Sequence, residues 1–314
     1  MTILLTLLEI VLPVFLIIAA GYAAVKTNYL PETLIDGVVK YAVAFAVPVL
    51  LFLSMTRIDL GTAINLGAMI AFFGAGNLCF FGAMALSRLI WRRRPGEAVA
   101  VGFCTFFPNV VMLGIPIAER AFGPPVMGAV FGIIAFHSIH NYFVGFIAME
   151  MVRLDRAGLG VALSRATVTT FKNPLMVGLI TGLAFNLVGF HIPGVPLSAL
   201  EMIAASAIPA ALFSLGGVLT RYSIRAKAPE ALMVVAFSLI IHPALAWIIA
   251  GPILGLGDTY IRAVVILAAM VPGLNGYIFA ALYGRAVGTA ASSSLLGTAL
   301  AVPTVTLWLA ALGA

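Results

Sequence analysis

Apolar runs of about 20 residues, each long enough to cross a bilayer as a helix, follow one another along the chain at 5–25, 37–56, 62–87, 98–119, 126–150, 173–190, 198–219, 229–252, 260–283 and 289–312. That succession fixes the solvent before it fixes the fold. With 63% hydrophobic and only 9% charged residues, a water-soluble globule would lack polar surface, so the chain reads as an all-α polytopic membrane protein with ten spans. The longest connection, 151–172, is too short to hold a soluble domain. The first run has no basic segment ahead of it and no small-residue cleavage site behind it, and so reads as a retained span. Cys79 and Cys104 lie inside spans without ligand spacing to any histidine, so no disulfide framework, metal or other cofactor is expected.

The cations report orientation and not nucleic acid. Connections after odd-numbered spans carry 13 lysines and arginines, from Lys26 through Arg88, Arg92, Arg93, Arg94, Arg153, Arg156, Arg165, Lys172, Arg221, Arg225 and Lys227 to Arg285, against Arg57, Arg120 and Arg262 after even ones. By the positive-inside rule the odd connections are cytoplasmic and both termini face outward. The halves also repeat. Pro13, Gly21 and Pro48 recur 161 residues later as Pro174, Gly182 and Pro209, and Gly123 falls on Gly284 at the same offset. Five spans per copy is an odd number, so the second copy inserts upside down. The expected organisation is a first repeat over 1–150, a cytoplasmic linker over 151–172 and an inverted second repeat over 173–314.

Two spans are interrupted. Phe107-Pro108-Asn109-Val110-Val111-Met112-Leu113-Gly114-Ile115-Pro116 lies inside the fourth, and Val271-Pro272-Gly273-Leu274-Asn275-Gly276-Tyr277 inside the ninth. Proline removes a backbone donor and biases the residue before it away from helix, and glycine tolerates the resulting bend. Backbone opened at bilayer depth survives only where it packs in protein or lines a wet cavity. A plain proline kink would explain one such segment. A pair at corresponding places in two halves points to a transporter's binding site.

Half-helix amino termini suit a carboxylate, and Asn109 and Asn275 would add amide donors without a buried fixed charge. Pro108, Pro116 and Pro272 set the breaks, while Gly114, Gly273 and Gly276 would let a ligand approach the backbone. The competing reading is that the asparagines only cap their own helices. His137, His140 and Asn141 share a face of the fifth span, with His242 in the eighth and Asn77 in the third. Each is a candidate pathway or proton-coupling group, or simply a polar contact between helices. Gly255-Leu256-Gly257-Asp258 spells GxGD, but Asp258 lies in a short outer loop and no Tyr-Asp supplies a second carboxylate. No HExxH, GxSxG or Walker A motif is present, so enzymatic readings lack support.

Pro108-Asn109 with Gly114-Ile115-Pro116 and Phe122-Gly123 resembles the fourth-helix motif of the auxin efflux carrier family, which includes plant PIN proteins and bacterial malonate-type carriers. Leu12-Pro13-Val14-Phe15 with Gly21-Tyr22, Ala46-Val47-Pro48 with Leu51-Phe52, and Phe279-Ala280 with Tyr283-Gly284 are similar too. The resemblance covers essentially the whole chain. It implies two inverted five-helix repeats on the bile acid/sodium symporter-like fold, with broken helices 4 and 9 crossing. It also implies a scaffold of helices 1, 2, 6 and 7 that forms a homodimer, a mobile transport domain from the rest, and Asn109 with the Pro108 and Pro272 breaks lining an organic-anion site. Plant members place charged residues near the crossing, where this sequence offers Asn77 and Cys79, and they carry a long loop where it has 151–172. The expected protein is a secondary carrier of a small organic anion, auxin-like or malonate-like, in a bacterial inner membrane. The alternatives are a proton- or sodium-coupled dicarboxylate symporter and, from another class, a membrane receptor or intramembrane enzyme.

Overall fold

A computed structural model describes residues 2–57, 64–152, 174–221 and 228–314. Most of the connection 151–172 lies outside the described residues, as do Arg225 and Lys227 among the cations counted above. The described residues are helical throughout, with no strand longer than one isolated bridge. In chain order the helices are α1 (Thr2–Lys26), α2 (Glu32–Arg57), α3 (Leu66–Trp91), α4 (Pro95–Phe106), α5 (residues 110–122), α6 (Pro124–Val152), α7 (Pro174–Val188), α8 (Gly194–Leu219), α9 (Ala228–Ile253), α10 (Asp258–Ala268), α11 (Leu274–Tyr283) and α12 (Val287–Ala311). Six of them, α2, α3, α6, α8, α9 and α12, are long and apolar enough to cross a membrane by length and composition. The sequence spans 98–119 and 260–283 are each occupied by two short helices, α4 with α5 and α10 with α11.

Local chemistry sets the boundaries. Asn65 caps α3, its Oδ1 accepting the Ala68 N–H at 2.9 Å, and Arg92 ends that helix in the left-handed region at φ 51°. Pro95 opens α4, where its missing donor costs nothing, and the Glu97 carboxylate turns back to accept the Arg94 N–H at 3.1 Å. Three π turns, Ala42–Ala46, Val110–Gly114 and Phe237–Ile241, each end two residues ahead of a proline: Pro48, Pro116 and Pro243. A proline ring clashes with the carbonyl four residues back, and widening that turn moves the carbonyl aside.

Backbone-to-backbone packing joins α1 to α8 and α2 to α7. A Cβ on Gly21 would collide with the Phe213 carbonyl oxygen, and one on Gly182 with the Phe52 carbonyl oxygen. Both glycines and both phenylalanines are related by the 161-residue offset, so one contact is made twice. Small residues permit this approach, which is how helices associate where lipid gives no hydrophobic drive. The remaining helices form a second group, with α4 against α3, α10 against α6 and α9, and α12 against α9.

One buried ion pair ties that group together. Glu230, 1% exposed at the start of α9, accepts from Arg93 Nε at 2.9 Å, from Arg93 Nη2 at 2.6 Å and from the Thr289 hydroxyl at 2.6 Å. A carboxylate so buried survives because both its oxygens are engaged.

Candidate functional site

The helix stops at Phe106 because Pro108 offers no N–H and forces Phe107 to φ −112°, ψ 70°. The polar groups released there find specific partners. Asn141 Nδ2 donates to the orphan Phe106 carbonyl at 2.8 Å. Asn109 N–H donates to the Val271 carbonyl at 2.9 Å, and Gly273 N–H to the Phe107 carbonyl at 2.8 Å. Pro108 and Pro272 thereby face each other in an isolated antiparallel bridge. Each break supplies the hydrogen bonds that the other lacks.

The two helices that leave the breaks are capped differently. Asn109 Oδ1 accepts the Met112 N–H at 3.2 Å, capping α5. Since that partner only donates, the amide orientation is fixed and Nδ2 is turned away from the cap. At the second break the N-cap is Gly273, which has no side chain to offer the first turn of α11. Asn275, the second residue of α11, has its Oδ1 held by the Tyr142 hydroxyl at 3.1 Å. Both asparagines thus have the oxygen committed and the NH2 left to donate.

A cavity of about 190 Å3 lies on this junction. It brings together five of the residues singled out from sequence, Pro108, Asn109, His137, Gly273 and Asn275, and adds Ser138 and the ring of Phe107. Val39, Val43 and Val47, around the π turn of α2, form its apolar wall with Leu175 and Ile278. Among the described residues, no lysine, arginine, aspartate or glutamate lines it. His137 is 2% exposed, lies edge-on to Phe107 at 4.6 Å between ring centres, and has no hydrogen-bond partner for Nε2 among the described residues.

The other candidates lie elsewhere. Pro116 is buried in α5 and Pro272 sits in the bridge behind the cavity. A Cβ on Gly114 would meet Leu267 Cδ2 at 2.6 Å, and one on Gly276 would meet Cys104 Sγ at 3.1 Å, so these glycines seat helix against helix. His140 Nε2 pairs with Asn77 Oδ1 at 3.1 Å, and His242 Nε2 with the Phe72 carbonyl at 3.3 Å. Ser138 and Tyr142 were missed, although both belong to the helix that carries His137 and Asn141. The described residues hold no group of three or more His, Cys, Asp or Glu arranged for a metal.

A wider cavity of about 700 Å3 opens between α2, α6 and α8, rimmed by Arg57, Glu119 and Glu201. The Arg57 guanidinium and the Glu201 carboxylate form an ion pair across it.

An apolar helical chain whose polar side chains converge on two interrupted helices defines an integral membrane protein with an internal polar site. The sequence matches the family described as "Membrane transport protein" over residues 6–153 and 160–309, and the chain belongs to that family, the auxin efflux carrier type its motifs resemble. It is 26% identical over 303 residues to a Rhizobium meliloti (strain 1021) protein named "Putative malonate transporter", covering 95% of this chain and 93% of that one. It is 24% identical over 306 residues to "Uncharacterized transporter YfdV" of Escherichia coli (strain K12), covering 95% of each. The same match is found in Shigella flexneri. These relatives are named as transporters, and the chain is accordingly a membrane transporter.

Proposed function

We propose that this transporter is a secondary carrier of small organic anions that works by alternating access, with the anion held where the two interrupted helices meet. The observation that carries the reading is the lining of the 190 Å3 cavity: two amide donors and the uncapped amino end of a ten-residue helix, with no fixed charge among the described residues beside them. Partial charges of this kind attract a carboxylate without the tight pairing that would trap it. The name of the Rhizobium relative supports a small dicarboxylate such as malonate.

The proposal includes ten spans in two inverted repeats, with both termini outside. The doubled contact of Gly21 on Phe213 and Gly182 on Phe52 supports the symmetry. So does the ending of α5 and α11 on Gly123 at φ 67° and Gly284 at φ 61°, again 161 residues apart. In this reading α1, α2, α7 and α8 are a static scaffold that dimerises, and the broken helices move with the rest. With the cell interior negative, export of one net negative charge gains about 2.3 kcal/mol per 100 mV, and that gain drives efflux.

The test is uptake of labelled malonate and indole-3-acetate into proteoliposomes, under potential alone and under a proton gradient alone, for wild type and Asn109→Ala. Potential-driven flux that disappears in the variant is the expected result. Flux indifferent to the substitution would remove the site from the junction, and a single-subunit mass for the protein in mild detergent would remove the dimer.

A further inference from the structure

The junction cavity can hold only so much negative charge. On the reading just proposed, one carboxylate is met by the Asn109 and Asn275 amides and the first turn of α11. A second carboxylate on the same ligand would bring another whole charge against the apolar wall of Val39, Val43, Val47 and Ile278, with no cation among the described lining residues. An unpaired charge in such surroundings takes up a proton in preference to remaining charged.

His137 is the group placed to hold that proton. Its Nε2 has no hydrogen-bond partner among the described residues, and protonation turns both ring nitrogens into donors. Of the ionisable groups around it, none of His140, Tyr142 and His242 lines the cavity. On its own helix, His140 is bonded to Asn77 and the Tyr142 hydroxyl to Asn275. On α9, His242 Nε2 is bonded to the Phe72 carbonyl; its Nδ1 also has no partner among the described residues, but His242 does not line the cavity. Towards α3 and the first break, His137 meets the rings of Phe72 and Phe107. The residues that α2, α5, α7 and α11 contribute to the cavity include none that titrates near neutrality.

We infer that the junction carries one net negative charge per molecule moved, and that His137 takes up a proton whenever the ligand is a dianion. The dianion and the proton enter from the same aqueous side, the imidazole becomes imidazolium, and both leave on the other side. No covalent bond of the ligand is made or broken. A monocarboxylate binds with His137 neutral and moves without a proton. This inference rests on the junction being the anion site, and the test separates the two.

Proteoliposomes containing the full chain and a luminal pH dye are given malonate, or malonamate, in which a neutral amide replaces one carboxylate. Protein-free vesicles report leak. Wild type is expected to acidify the lumen by one proton per malonate and none per malonamate. His137→Gln is expected to lower the malonate-to-malonamate flux ratio by about tenfold, with no proton accompanying the residual malonate. Proton-free malonate movement by wild type would overturn the inference, and this holds even where the variant does not fold. A variant that keeps the wild-type ratio and proton count would overturn it too, because the ligand and not His137 would then hold the proton. If Asn275→Ala leaves both fluxes at wild-type level, the junction itself is the wrong site.

Discussion

The two helix interruptions solve one problem in two ways. At the first, Asn109 spends its side-chain oxygen on the Met112 N–H and so closes the end of α5. At the second, Gly273 leaves the end of α11 without a side-chain cap, and the asparagine moves into the helix at position 275, where Tyr142 holds it. On the proposed reading, the first break serves stability and the second access. On that reading the two breaks divide tasks that a single capped break could not perform together, since an N-terminus that is capped by its own side chain has fewer N–H groups left for a ligand.

The sharpest way to break this contrast is to remove each asparagine in turn. Asn275→Ala removes a donor to a charged ligand, an interaction worth about 1.5–3 kcal/mol, so anion affinity is expected to fall by one to two decades. The helix end stays as it is, and the stability cost is that of the Tyr142 hydroxyl losing its acceptor, which Tyr142→Phe in the same background should relieve. Asn109→Ala removes a donor and a cap together, so the same loss of transport should come with about 1 kcal/mol of destabilisation. Asn109→Ser separates the two effects: serine caps as well as asparagine but has no amide, so stability should return while transport does not. Thermal unfolding in detergent beside proteoliposome flux reads both quantities. If Asn109→Ala left stability untouched, the division of labour would be wrong.

Proline chemistry makes the interruptions legible from sequence, because Pro108, Pro116 and Pro272 each remove a helical donor whatever surrounds them. What closes the breaks is tertiary and carries no local signal. Asn141 reaches a carbonyl 35 residues away, Tyr142 an asparagine 133 residues away, and Arg93 a carboxylate 137 residues away. Glycine is ambiguous for a related reason. Gly114, Gly273 and Gly276 look alike as residues beside a break, yet only Gly273 lines the cavity, while the other two admit Leu267 and Cys104. The π turn that brings valines of α2 to the cavity was likewise invisible in an unbroken apolar run, although Pro48 marks its position.

Glycines behind the two breaks sharpen the contrast at a smaller scale. A Cβ at Gly297, on α12, would meet the ring of Pro272 at 2.9 Å, and one at Gly114 would meet the tip of Leu267 at 2.6 Å. The shorter approach is the more forgiving, because a leucine methyl can rotate away and a proline ring in a bridged backbone cannot. Gly297→Ala is therefore expected to cost about 1–3 kcal/mol and to disturb transport through the second break. Gly114→Ala should cost less and leave affinity near wild type. Equal costs for the two, measured by thermal unfolding, would mean that the second break is as pliable as its neighbour.

The mildest change acts on orientation alone. In Tyr142→Phe the ring stays, with its packing on Phe107 at 5.2 Å and on Phe146 at 5.6 Å between ring centres, while Asn275 Oδ1 loses its donor. The asparagine can then turn either its oxygen or its NH2 toward the cavity, and an oxygen facing a carboxylate repels it. Losing this neutral hydrogen bond should cost about 0.5–1.5 kcal/mol of stability, and anion affinity should fall by up to about tenfold. The corresponding freedom does not exist at the first break, where the Met112 N–H fixes the Asn109 amide without help from another helix. Loss of affinity in Tyr142→Phe, together with no further loss when Asn275→Ala is added, would show that the tyrosine acts only by holding that amide. Additive losses in the double variant would instead place the tyrosine hydroxyl on the ligand.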